Sequence, residues 1–160
     1  MWESSRPFFE WSDNLWIGRA IAGTTWAFPL IETIHILALT VMYGAMILID
    51  LRLVGLGMRR QSLNLLTKDL EPYMTWGLIV MLVSGFLLFT SEAMKSFDNE
   101  GFKLKMEILV PAVIFQFTLF RRVTRQDDGK RSQSLGWLVS MMSAVLWLGV
   151  GVAGRAIGFV

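Results

Sequence analysis

The apolar stretch from Pro29 to Ile49, PLIETIHILALTVMYGAMILI, carries Glu32 and His35, the only histidine in a chain that has no cysteine. An ionisable side chain inside so apolar a segment is costly unless it faces a protein interior, which makes both residues candidates for function. Three residues apart on a helix, they share a face, and Met42 and Met46 continue that stripe. A lone inward imidazole can ligate haem b, provided apolar walls surround it and cations near the membrane surface pair the propionates. The second axial ligand would then come from Met94, Met106 or another inward methionine, or from His35 of a second subunit. Glu32-Thr33-Ile34-His35 also has the Glu-x-x-His spacing of di-iron bundles, which in full use two such motifs and two further carboxylates. His35 with methionine thioethers could hold copper. A Glu32–His35 pair could instead transfer protons, because histidine titrates near neutral pH. The remaining reading is a structural hydrogen-bonded pair between helices.

Composition frames these residues. In 160 residues, one domain by length, hydrophobic types make up 54% and charged types only 18%, which is too apolar for a soluble domain. The apolar residues arrive in four blocks, near 29–49, 73–90, 104–120 and 135–154, and roughly 20 residues at helical rise cross the hydrocarbon core. The third block begins with charged residues, which must lie at the interface or face inward. Lipid offers the backbone no hydrogen-bond partner, so blocks without strand-like alternation mean helices. The expected fold is an all-α integral membrane four-helix bundle forming a single domain over 1–160.

Residues 1–28 are too polar to span but contain Trp2, Trp11, Trp16 and Trp26. Tryptophan favours the membrane interface, and Ser12-Asp13-Asn14 offers a helix start, so 13–24 reads as an interfacial helix, against the alternative of a poorly ordered tail. No secretory signal pattern precedes the first span, which would itself serve as the insertion signal. The connection after the first span has Arg52, Arg59, Arg60 and Lys68, with Gly55 and Gly57 loosening a helix that continues out of the bilayer. The connection after the third, RRVTRQDDGKR, is the most basic. Retention of lysine and arginine on the cytoplasmic side puts both connections inside, and both termini outside with the Ser91 to Lys105 loop. That pattern accounts for the net charge of +2, and no basic face with interleaved aromatics signals nucleic acid.

The same orientation gathers a polar layer at the outer level: Glu32 and His35, Glu92 and Met94, Lys105, Met106 and Glu107, and Arg155. Lys105 and Arg155 are the cations available to propionates. Glycines at 44, 77, 85, 149, 151 and 154, with the Ser140 and Ala144 step, suit close helix approach. Pro111 should kink the third span and free a carbonyl, and Gln116 needs a partner within the bundle. Without cysteine, thiolate catalysis, iron-sulfur clusters and covalent haem attachment are excluded. No phosphate-binding glycine loop, nucleophile-base pair or zinc-protease helix is present.

The runs WAFPLIETIHILALTVMYGAMILIDLRLVGLG, SGFLLFTSEAMKSFDNEGFKLKMEIL and LWLGVGVAGRAIGF resemble a family of small, largely uncharacterised bacterial inner-membrane proteins with four spans. More distantly they are similar to copper-resistance D-type membrane proteins and four-helix b-type cytochromes. The closer resemblance covers most of the chain after about residue 15 and implies an inner-membrane bundle. It points to Glu32, His35, Asp50, Arg52, Lys105 and Arg155 as family positions, and supplies no activity. The expectation carried forward is a haem b-binding electron-transfer subunit, a homo-oligomer in membrane lipid serving quinone or a redox partner protein. Its alternatives are a cofactor-free structural or assembly subunit, or a metal or proton site at Glu32 and His35.

Overall fold

A computed structural model describes residues 2–57, 60–126 and 132–159. Among them every regular element is helical. After a short 3-10 turn, α1 (Arg6–Asp13) and α2 (Trp16–Ala22) precede the long helices α3 (Ala27–Leu53) and α4 (Leu63–Ser91). A short α5 (Ala93–Asp98) leads to α6 (Glu100–Phe115), which runs through a π-helical segment (Gln116–Phe120) into α7 (Arg121–Thr124); α8 (Gln133–Ala156) completes the bundle. Three helices, α3, α4 and α8, are long and apolar enough to cross a membrane. The fourth arm is the composite of α6, the π segment and α7.

Local chemistry sets the helix ends. Pro29 falls in the first turn of α3, where its missing N–H has no intrahelical acceptor to serve. At the other end Gly55 takes φ 79°, a left-handed conformation that glycine adopts without strain. The Gly55 N–H donates to Arg52 O at 3.1 Å and Leu56 N–H to Leu51 O at 2.9 Å, the paired bonds that close a Schellman end. Ser62 caps α4 by accepting from Leu65 N, and Asn99 caps α6 by accepting from Phe102 N at 2.9 Å. The Asn99 side chain also donates to Ile157 O at 3.0 Å, tying the start of α6 to the end of α8.

The core runs down the bundle axis through Met42, Met46, Ile49, Leu78, Ala112 and Trp147. Outside it lies a coat of exposed Ile, Leu, Val and Phe, the inverse of a water-soluble surface and what a lipid solvent demands. Several expectations are corrected here. The interfacial helix expected at 13–24 is shorter, α2 at Trp16–Ala22, and a separate helix precedes it; Ser12 and Asp13 end α1, and Asn14 and Leu15 make the break. Burial decides this, because Phe9 is 3% exposed among Phe89, Phe97 and Phe102 and draws the chain into helix well before residue 13. The Ser91 to Lys105 loop is mostly helix, comprising α5 and the first turn of α6. Gly44 has open space where a Cβ would be, so it mediates no close approach. Gln116 is buried as expected, yet its Oε1 has no partner among the described residues.

Candidate functional site

His35 lies on the side of α3 that packs against α4. Its Nδ1 is 3.0 Å from Ser84 Oγ, and Cε1 rests on Gly85, where an added Cβ would stand only 3.1 Å away. The direction of the hydrogen bond follows from the other contacts of the serine. Ser84 Oγ is 2.6 Å from Val80 O and 3.2 Å from Met81 O, and carbonyls only accept. The hydroxyl hydrogen is therefore used within α4, and toward His35 the same oxygen accepts. In the neutral imidazole this puts the proton on Nδ1 and leaves the lone pair on Nε2, the arrangement that second-shell partners impose on metal-ligating histidines.

Lys105 on α6 is close enough for its charge to bear on the imidazole. Its stem and Nζ run along α8 at Gly154, where a Cβ would lie 3.7 Å from Nζ. Lys105 makes no hydrogen bond or ion pair with a described residue. His35, Ser84, Gly85, Lys105 and Gly154 thus draw all four arms of the bundle to one level.

The rest of the expected polar layer disperses. Glu32, expected to face inward beside His35, is exposed and makes no hydrogen bond or ion pair with a described residue. Residues three apart on a helix diverge by about 60° around its axis, enough to leave one on a narrow seam and the other off it. Glu92 is exposed and paired to Lys95 at 3.3 Å. Glu107 accepts from Trp2 Nε1 at 3.1 Å. Arg155 is exposed, with its guanidinium 5.1 Å from the centre of the Phe159 ring. Met94 is half-buried in α5, its backbone N–H bonded to Asp13 Oδ1, and Met106 packs at the edge of the core. No group of three or more His, Asp or Glu side chains placed to hold a metal ion occurs among the described residues. Ser84 was not singled out by the sequence; the signal available was a Ser-Gly pair inside an otherwise apolar span.

The model of a protein family described as a family of unknown function, DUF6644, matches residues 8–160. No curated protein and no solved structure matches the chain.

Proposed function

We propose that this chain, which belongs to the DUF6644 family of unknown function, is a b-type haem subunit for electron transfer in a bacterial inner membrane. The observation that carries the reading is the tether of His35 Nδ1 by Ser84, which leaves Nε2 as an oriented, unprotonated donor. Lys105, without an anionic partner among the described residues, supplies a cation at the same level for a propionate. With one histidine per chain, the second axial position falls to His35 of another copy, which makes the working unit a symmetric homo-oligomer.

The topology proposed is four spans with both termini outside. It is supported by the way the fold collects Arg52, Arg121, Arg122 and Arg125 at the end of the bundle opposite His35, the end that lysine and arginine retention would keep cytoplasmic. Cytoplasmic fluorescence from a fusion after residue 160 would reverse that orientation.

Purified from haem-replete cells, the protein is expected to show a Soret band that shifts on reduction, and His35→Ala is expected to lose it while still inserting. Absence of a Soret band in the wild-type protein would overturn the reading. One observation favours a second reading, a cofactor-free assembly subunit: the His35–Ser84 bond also joins α3 to α4 directly. The same spectrum separates the two.

A further inference from the structure

At the opposite end of the bundle from His35, a cavity of about 280 Å3 opens between α3 and α8. Tyr43, Asp50, Trp137, Ser140, Ser143 and Trp147 contribute its polar and aromatic lining, and aliphatic side chains make the remainder. Its rim includes Leu148 and Ile47, 61% and 52% exposed on the lipid-facing coat. The mouth is therefore lateral, toward the bilayer.

One carboxylate sits in this apolar chamber with half of its hydrogen-bonding capacity unused. Asp50 Oδ2 accepts from Ser143 Oγ at 2.8 Å, whereas Oδ1 is buried with no partner among the described residues. The nearby Ser140 hydroxyl is 3.4 Å from the Asp50 backbone carbonyl and bears on the carboxylate as well, yet it completes no hydrogen bond to Oδ1. The Tyr43 hydroxyl donates to Trp147 O, so its hydrogen is also committed. No ion pair to a described residue neutralises Asp50. A buried acceptor left open in this way costs free energy that a donor-bearing occupant would recover.

We propose that the α3–α8 cavity is a binding site for an organic ammonium ion carrying an apolar group, whose N–H donates to the Asp50 carboxylate beside the accessible wall residue Trp137. The chemistry of the walls selects this class. A bare metal cation needs several oxygen donors, and the chamber offers one free carboxylate oxygen among apolar surfaces. An anion would find a single buried donor without a partner among the described residues, Trp147 Nε1, and would be set against a carboxylate oxygen that only a donor can satisfy. An alkyl- or aryl-ammonium ion supplies the donor that the open carboxylate oxygen lacks and the charge that lets this buried group ionise, while Trp137 and the aliphatic walls take its apolar part. Such amphiphiles partition into membranes, so a lateral mouth is the entry they would use.

The test is equilibrium binding of 2-phenylethylammonium to the full chain in phosphatidylcholine nanodiscs, with neutral 2-phenylethanol as the control of matched shape. Saturable binding of one ammonium per chain is expected, weaker by about tenfold in Asp50→Asn. Asparagine can keep the Ser143 bond, and helical circular dichroism would verify that the variant is folded. Trp137→Ala, at a partly exposed wall residue, is expected to weaken binding about threefold. Equal binding of the alcohol, an affinity unchanged by Asp50→Asn, or no saturable ammonium binding to the wild type would each overturn the proposal.

Discussion

Ser84 Oγ stands 3.0 Å from His35 Nδ1 and, by spending its own hydrogen on α4 carbonyls, fixes which imidazole nitrogen carries the proton. Removing the hydroxyl should free the ring to rotate and change tautomer. Ser84→Ala is expected to destabilise the bundle by about 1 kcal/mol, the scale of an interhelical hydrogen bond in a membrane. Reversible unfolding in mixed micelles measures that loss. If haem is bound, its Soret maximum should also broaden.

Gly85 affects the same ring by contact. An added methyl would lie 3.1 Å from His35 Cε1, tighter than normal van der Waals approach, so Gly85→Ala must push the imidazole along the α3–α4 seam. Overpacking of this kind costs roughly 1–3 kcal/mol. The expected order of disturbance is Gly85→Ala above Ser84→Ala, read from the same unfolding curves. The reverse order would mean that the tether outweighs the packing.

Glu32 gives the opposite expectation. Exposed and without a hydrogen bond or ion pair to a described residue, it should tolerate Glu32→Gln with a stability change within about 0.5 kcal/mol and no loss of any His35-dependent spectrum. A large effect would show that Glu32 acquires a partner in the assembled membrane protein, most directly at a contact between copies.

Hydropathy made α3, α4 and α8 legible, because bilayer solvation writes itself into any segment long enough to span. The end of α3 was legible for a local reason, the left-handed conformation available to Gly55. What escaped depends on residues far apart in the chain. The aromatic cluster that orders α1 joins Phe9 to Phe89, Phe97 and Phe102, and no local pattern marks such a meeting. The candidate site divides the same way. His35 stood out by type, whereas Ser84 acquires meaning only from the register of α4 on α3. Asp50 stood out only through the family resemblance; its unused oxygen and aromatic surroundings come from the way α8 crosses α3.

The docking of α2 hangs on Gly18. A Cβ there would lie 2.1 Å from Thr90 O and 2.6 Å from Thr90 C, which are backbone atoms that cannot turn aside. Gly18→Ala should therefore lift α2 from α4 and loosen the aromatic cap through α1. Hydrogen exchange in nanodiscs is expected to accelerate over Arg6–Asp13 and Trp16–Ala22 while the core of α3 stays protected. Unchanged protection over both helices would mean that α2 is held by something other than this contact.

At the end opposite His35, Glu71 on α4 receives Arg121 at 2.6 Å and Arg125 at 2.5 Å, one guanidinium on each carboxylate oxygen. Asn64 Nδ2 and Thr67 Oγ1 also donate to the carbonyls of Arg125 and Thr124, so α7 is fastened to α4 by both side-chain and backbone groups. The carboxylate is 24% exposed and the arginines nearly twice that, so water and salt screen the pairs and discount their strength. Glu71→Gln keeps the shape and removes the charge, leaving two neighbouring guanidinium groups to repel. The expected loss is about 1 kcal/mol at low ionic strength, shrinking as salt is raised. Unfolding titrations at two salt concentrations measure it. A loss that does not vary with salt would assign the role of Glu71 to hydrogen-bond geometry and not to charge.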